Sequence, residues 1–246
     1  MTVKYSFITF SFGEGRLKHA KVLLASLKQF SRNDVEFLIV EKGSRFLENT
    51  PYRYIPVSSD ESYNRALCLD AGARAARGEF LILHDIDIPL PSGFFDNLDR
   101  MADRYRYFST YNEIHHLTEE DTDRVFSHPE KFRYGYYGFT GERMRRFGGD
   151  VRGGSSCIHR EIYFACGGMN PAFTVWGGED EEFHVRANLL SPCGTPETAL
   201  VHLYHLPADR DPPVLHADPR YIKNVELLAK THGDPRGVIK ELKNRR

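Results

Sequence analysis

Two clusters of acidic residues are the parts of this sequence best suited to chemistry. Asp85 and Asp87 form a D-x-D triplet directly after an apolar run, and Glu179–Glu182 form a second acidic run behind Trp176. If the chain is extended at the triplet, its two carboxylates share a face, because strand side chains repeat every two residues. Such carboxylates repel one another unless a cation lies between them. The triplet therefore predicts a metal site, with a solvated strand end or a helix cap as the alternative.

The second cluster, Trp176-Gly177-Gly178-Glu179-Asp180, is the more specific signal. Acidic residues favour helix N-termini, where the helix dipole and free N–H groups stabilise negative charge. That preference accounts for one or two carboxylates, but not for a longer run behind a tryptophan. An aromatic ring beside carboxylates is typical of sugar sites, since a sugar stacks its C–H face on the ring while its hydroxyls donate to the carboxylates. This cluster therefore predicts a sugar-binding site.

His202 and His205 are candidate ligands for the same metal. They lie at the end of a strand predicted over Thr198–Leu203, where residues three apart would point to opposite faces. Joint ligation therefore requires a bend in the chain, which Pro207 favours. The alternative is a structural role for each histidine.

The elements that must position these residues alternate between strands and helices. Strands are predicted at Val3–Phe12, Glu36–Val40, Tyr52–Val57 and Glu79–His84, and helices at Arg16–Phe30 and from Ser59 or Asp60 to Arg77. This alternation is typical of an α/β sheet with crossover helices, in which ligands bind beyond the carboxyl ends of the strands. The D-x-D triplet stands at such an end. Residues 111–150 are predicted to form loops around the site, and a final helix is predicted near Tyr221–Lys230.

Length and composition fit a soluble globular protein. The 246 residues are 41% hydrophobic and 27% charged, which predicts one domain over 1–246. A net charge of −1 argues against nucleic-acid partners. Cysteines without a C-x-x-C pair and the lack of a long apolar stretch predict a cytoplasmic protein without an integral membrane segment, with peripheral attachment left open.

In order and spacing, several of these motifs resemble the β-1,4-galactosyltransferase family. They are Tyr63-Asn64-Arg65-Ala66, the Asp85–Asp87 triplet, Gly153-Gly154-Ser155-Ser156, Gly168 and the Trp176–Asp180 cluster. Residues 1–58 resemble the opening of family 2-type glycosyltransferases of the GT-A fold. The resemblance implies a GT-A fold, α/β in class, with a single mixed, mostly parallel sheet flanked by helices. It also implies that the domain over 1–246 has three parts: a nucleotide-binding half (1–100), an acceptor and catalytic half (101–206), and a C-terminal tail with a helix (207–246).

The activity that this resemblance implies is an inverting transfer. A hexose of the galactose or N-acetylgalactosamine type would pass from a UDP-sugar to a hydroxyl of a saccharide or glycoconjugate acceptor. Mn²⁺ would be the cofactor, with Mg²⁺ as the alternative ion. The metal ligands would be Asp87 and His205, joined by His202, which replaces the methionine usual in the family.

The resemblance also implies the other site residues. Asp180 would be the catalytic base, and Trp176 the ring that closes over the donor and acceptor. Donor contacts would come from Asp85, Glu179, Trp176, Arg65 and Glu41, and acceptor contacts from Glu181, Tyr136 and Tyr137.

Two features depart from the family or leave another reading open. The first βα loop, Ser11–Arg16, is not the arginine-rich loop of the galactosyltransferases, so the base and phosphate contacts are left open. The nearest alternative is a retaining N-acetylgalactosaminyltransferase, whose W-G-G-E motif is typically followed by Asn; Asp180 favours inversion. A catalytically inactive sugar-binding module of the same fold is the second alternative.

Overall fold

A computed structural model describes residues 2–43, 45–58, 63–132, 143–146, 153–205 and 216–245, the strand at 143–146 by its backbone alone. Its strands are β1 (Tyr5–Phe12), β2 (Val35–Lys42), β3 (Arg53–Val57), β4 (Phe80–Asp85), β5 (Tyr107–Ser109), β6 (Glu113–His116), β7 (Arg143–Arg146), β8 (Ser155–His159) and β9 (Ala199–His202). Its α-helices are α1 (Leu17–Leu27), α2 (Arg65–Ala75), α3 (Phe94–Ala102), α4 (Glu119–Ser127), α5 (Arg160–Ala165), α6 (Glu179–Leu190), α7 (Pro219–Gly233) and α8 (Pro235–Asn244).

A six-stranded sheet in the order β3-β2-β1-β4-β8-β5 forms the centre of the molecule. The pairs β3-β2, β2-β1 and β1-β4 are parallel, and β8 runs antiparallel to both β4 and β5. The α/β class and the mixed, mostly parallel sheet are confirmed. A second sheet, in the order β7-β6-β9, corrects the prediction of a single sheet. Its strand β9 delivers His202, so the second sheet matters directly for the site.

Helix α2 differs from its prediction at both ends. It begins at Arg65, because the Asn64 side chain caps it by accepting from the N–H of Leu67 at 2.7 Å. The start predicted near residues 59–60 lies outside the described residues. At the other end the helix stops at Ala75, two residues before the predicted end.

The second half of the chain contains more regular structure than its sequence indicates. Strand β6 and helix α4 lie within the region predicted to be loops, and α3 was not predicted. Helices α7 and α8 both pack against α6, so residues 216–245 form part of the fold rather than a tail. Among the described residues no helix is long and apolar enough to cross a bilayer.

The core lies on both faces of the central sheet and fixes the helices that carry the site. Leu23 and Phe94 pack against one face, and Leu69 and Phe183 pack against the other. Within α6, Arg186 is fully buried and forms an ion pair with Glu182, at 2.5 Å from Nη2 to Oε2. The same guanidinium donates to the carbonyl of Cys166. A buried ion pair that also meets its hydrogen bonds holds the first turn of α6 in one orientation.

Candidate active site

A cavity of about 530 Å³ opens at the carboxyl ends of β1 and β4. Its volume lies in the range of about 300–1,000 Å³ typical of small-molecule sites. The position is the one that ligands take in open α/β sheets. Among the residues that line it are Arg16, Arg65, Asp85, Asp87, Trp176, Glu179, Asp180, His202 and His205. The structure therefore brings both acidic clusters and both histidines to one cavity.

Asp87, His202 and His205 form a candidate metal centre. One ligand atom from each residue lies within 4.8 Å of the others. The Nε2 atom of His202 is 3.6 Å from Asp87 Oδ1, and that of His205 is 3.3 Å from Asp87 Oδ2. Asp87 is buried, and its Oδ1 atom has no hydrogen-bond partner among the described residues. A buried carboxylate oxygen of this kind fits a cation held between the three side chains.

The bend predicted between the two histidines is present. Strand β9 ends at His202, and the N–H of Leu203 then donates to the carbonyl of Asp87 at 2.9 Å. This bond draws the chain toward the D-x-D turn and away from strand geometry. His205 can then face the same carboxylate as His202.

His84, the residue before the D-x-D triplet, fixes the turn from inside. It is fully buried, with Nδ1 2.7 Å from Ser155 Oγ and Nε2 2.6 Å from the carbonyl of Ile88. Burial lowers the pKa of His84 to about 4, so the ring is neutral at physiological pH. Its two nitrogens then have different roles, with Nε2–H donating to Ile88 and Nδ1 accepting from Ser155. The turn between Asp85 and Ile88 is thereby tied to β8.

Arg16 is a cavity residue that the sequence interpretation did not assign. It ends the short 3-10 turn Glu14–Arg16, and its Nη1 atom lies 3.6 Å from Asp87 Oδ2. That nitrogen is buried and has no hydrogen-bond partner among the described residues. Burial raises the pKa of the Asp87 carboxyl, but the neighbouring cationic groups, His202 foremost, outweigh it and hold that pKa well below its usual range. The sequence contains only a weak sign of this role, because Arg16 is a single arginine after Gly13 and Gly15. The loop that contains it lacks the arginine-rich pattern of the galactosyltransferase family.

Arg65 joins the two acidic clusters. It is the first residue of α2 and is 5% exposed. Its Nε atom donates to Asp85 Oδ1 at 2.8 Å, and its Nη1 atom donates to Asp180 Oδ1 at 2.5 Å. This places a guanidinium, rather than the metal centre, beside Asp85. The bridge orients Asp180 and leaves its second oxygen for another partner.

The carboxylates around Arg65 outnumber its single positive charge. Burial, followed by the charge of Asp180, raises the pKa of Glu179 to about 7. Burial also raises the pKa of Asp180, although Arg65 opposes the shift. Glu179 Oε2 accepts from the N–H of Gly177 at 3.0 Å. Near neutral pH this pair of carboxylates can therefore hold one proton.

Gly153 provides the space in which Asp180 lies. Its φ is +85°, and a Cβ at this position would be 2.7 Å from Asp180 Oδ2. No other residue type fits both the conformation and the close approach. The next residue, Gly154, accepts from the N–H of Asp85 at 2.8 Å. The Gly153-Gly154 pair thus ties the D-x-D turn to the side of the cavity that holds Asp180.

Two of the predicted site residues that the structure describes, Glu41 and Glu181, are not part of this cluster. Glu41 is fully buried and accepts from the N–H groups of Phe46 and Leu47, so it stabilises the turn after β2 and does not line the cavity. Glu181 accepts from His232 of α7 at 3.1 Å and does not line it either. Tyr136 and Tyr137 lie outside the described residues.

A family model matches part of the chain. Residues 129–193, which include the Trp176–Asp180 cluster, match the family model described as the N-terminal domain of galactosyltransferase. No curated protein sequence matches the chain.

Several solved structures share the fold. The mannosyltransferase PcManGT from Pyrobaculum calidifontis, in complex with GDP-Man and Mn²⁺, is 16% identical with a TM-score of 0.55, over 99% of this chain and 69% of that one. GalNAc-T7 with UDP, GalNAc and Mn²⁺ is 15% identical with a TM-score of 0.59, over 99% of this chain and 53% of that one. TarS 1-349 of S. aureus in complex with UDP-GlcNAc is 12% identical with a TM-score of 0.53, over 93% of this chain and 71% of that one.

At these identities the likeness to solved structures shows the fold, and the predicted GT-A fold is confirmed. The galactosyltransferase family model adds a sequence match over residues 129–193 to that result. Together they identify the chain as a glycosyltransferase of the GT-A fold.

Proposed function

We propose that the protein is a Mn²⁺-dependent inverting glycosyltransferase that moves a galactose- or N-acetylgalactosamine-type hexose from a UDP-sugar to a saccharide hydroxyl. The observation that carries this proposal is the meeting of two constellations in one cavity: the Asp87–His202–His205 centre and the Arg65–Asp180 pair. The first suits a nucleoside diphosphate, and the second suits an acceptor hydroxyl. PcManGT and GalNAc-T7, which share the fold, were both solved with Mn²⁺, and this supports the choice of ion.

The donor would bind at the metal side of the cavity. A divalent cation held by the Asp87 carboxylate and the two imidazoles would neutralise the charge that develops on the leaving diphosphate. The imidazoles favour Mn²⁺ over Mg²⁺, because Mg²⁺ prefers an all-oxygen shell. The buried Nη1 of Arg16 is a second positive group on that side and would donate to a phosphate oxygen.

Asp180 is the base in this proposal. Arg65 holds its Oδ1 atom, while its Oδ2 atom lies close to Gly153, and Asp180 lines the cavity. As the acceptor oxygen attacks the anomeric carbon and the bond to the diphosphate breaks, the hydroxyl proton would pass to Asp180 Oδ2. A base whose pKa is raised toward neutrality takes this proton more readily than an ordinary aspartate. Trp176, 42% exposed at the cavity wall, offers a ring on which a sugar can stack.

The retaining alternative remains distinguishable on chemical grounds. Among the solved structures, the one that corresponds to this alternative by name is GalNAc-T7, which shares the fold of this chain at 15% identity. An inverting enzyme needs a base on the acceptor side, and the structure places Asp180 in the cavity with one oxygen already oriented. The inactive-module alternative would lack either the base or the metal ligands, and both sets are present in this cavity.

Binding of UDP-sugars provides the first test. With a UDP-sugar at about 100 times its dissociation constant and Mn²⁺ present, the free energy of unfolding should rise by about 2.7 kcal/mol. For a chain of this size, the expected rise in Tm is about 5–10 °C in a thermal-shift assay. Matched samples contain a GDP-sugar with Mn²⁺, or the UDP-sugar with EDTA, and should show much smaller shifts. Equal shifts with and without the ion, or no shift with any UDP-sugar, would contradict the proposal.

A further inference from the structure

Helix α7 lies against the Trp176–Gly178 turn at the mouth of the cavity. The ring of Tyr221 packs on Gly177, where a Cβ would lie 3.0 Å from Tyr221 Cε2. Two helical turns further, Leu228 packs on Gly178, where a Cβ would lie 3.6 Å from Leu228 Cδ2. The segment predicted to be a C-terminal tail with a helix is therefore the support of the turn that carries the tryptophan.

One side chain of α7 binds the backbone on both sides of that tryptophan. The Nδ2 atom of Asn224 is 3.1 Å from the carbonyl oxygen of Val175 and 3.2 Å from that of Gly177. These two residues flank Trp176. The amide orientation follows from the contacts, because turning it over would set Oδ1 against two carbonyl acceptors. At 1% exposed, Asn224 replaces the water that the two carbonyls would otherwise need.

The turn needs hydrogen bonds from another element to hold one conformation, because its two glycines give the backbone wide conformational freedom. Gly177 and Gly178 have φ values of +116° and +88°, and glycine visits many other conformations at little cost. The indole follows the backbone of this turn. Without an external hydrogen-bond donor, the two carbonyls around Trp176 would be free to rotate toward solvent.

We infer that Asn224 is a positioning residue for Trp176: it holds the indole at the cavity wall, where the acceptor sugar packs beside Asp180. This assignment deepens the function proposed above and rests on it. Asn224 itself does not line the cavity, so it acts only through the turn. Its removal should therefore weaken acceptor binding and leave the donor side, built from Asp87, His202 and Arg16, unchanged.

The chain offers a direct spectroscopic test, since Trp176 is its one tryptophan and intrinsic fluorescence reports on this turn alone. In Asn224→Leu, and in the milder Asn224→Ser, acrylamide quenching of Trp176 should increase about twofold or more and the fluorescence anisotropy should fall. The acceptor KM should rise about tenfold, as expected for the loss of buried hydrogen bonds, with a smaller change in kcat. The dissociation constant for UDP with Mn²⁺ should stay within about twofold.

Thr231→Val is the matched control. Thr231 is a buried polar residue of the same helix, 1% exposed, and its hydroxyl donates to Glu182 and to the carbonyl of Leu227 rather than to the Trp176 turn. It should leave both quenching and the acceptor KM unchanged. Wild-type quenching and KM in both Asn224 variants, or the same changes in Thr231→Val, would overturn the inference. If wild-type protein transfers no sugar, the proposed function fails while the fluorescence comparison still decides whether Asn224 holds the turn.

Discussion

Replacing Asp180 with asparagine is expected to lower kcat by about 10²–10⁴-fold, the usual contribution of a well-placed general base. The amide keeps the shape of the side chain and an oxygen for Arg65, but it has no basic oxygen to take the acceptor proton. Steady-state transfer with a UDP-sugar and Mn²⁺ measures the loss. Binding of UDP with Mn²⁺ should change little, because the donor side of the cavity is built from other residues.

Asp123→Asn is the control for that substitution. It removes a carboxylate of α4 that lines the same cavity, so the change in net charge is identical. Its turnover should stay within about threefold of wild type, well below the loss expected of a missing base. Near wild-type turnover in Asp180→Asn, or an equal loss in Asp123→Asn, would remove Asp180 as the base.

His205→Ala should raise the Mn²⁺ concentration needed for half-maximal activity by at least about 100-fold. Even partners outside the coordination shell typically contribute about 10–100-fold to metal affinity, and a direct ligand contributes more. The free Mn²⁺ signal in electron paramagnetic resonance, titrated in the presence of UDP, measures the same loss without requiring turnover. Asp87→Asn should raise the Mn²⁺ requirement similarly, since it removes the negative charge of the carboxylate that lies between the two imidazoles.

His115→Ala is the matched histidine variant for the metal experiment. His115 lies on β6, in the same small sheet as His202, but its Nε2 atom pairs with Glu113 at 2.7 Å. It should bind Mn²⁺ like the wild type. An unchanged Mn²⁺ requirement in His205→Ala would remove that residue from the ligand set.

The sequence predicted the parts of the site whose chemistry is local. The D-x-D triplet could be placed at a strand end because the run before it is continuously apolar, as buried parallel strands are. The acidic run Glu179–Glu182 follows the preference of carboxylates for helix N-termini, since α6 begins at Glu179. The bend between His202 and His205 was also predicted, because joint ligation is impossible along a regular strand.

What the sequence did not predict depends on contacts between distant segments. The ion pair of Arg65 with Asp180 spans 115 residues, and neither residue carries a local sign of the other. Arg16 was overlooked because its role depends on how the first βα loop approaches Asp87. The support of Trp176 by Asn224 follows from packing of α7 on α6, which hydrophobic spacing within α7 alone does not indicate.

For Glu41 the sequence predicted a site role from its position along the chain, and the structure does not place it at the cavity. It is the second-last residue of β2, at the carboxyl edge of the sheet, where a contact to the donor was predicted. Its oxygens are taken by the N–H groups of the following turn and by the hydroxyl of Tyr54. A buried carboxylate needs hydrogen-bond donors of this kind, and Glu41 finds them within its own turn and neighbouring strand. Its role is therefore to stabilise the turn rather than to contact a ligand.

The stereochemistry of transfer tests the central claim most directly. Proton NMR of the first product formed from a UDP-α-hexose, Mn²⁺ and a panel of saccharide acceptors reads the anomeric configuration from the coupling between H1 and H2. A single displacement assisted by Asp180 predicts a β-linked product with a large coupling. An α-linked product, with the small coupling of the donor retained, would contradict the mechanism and favour the retaining alternative.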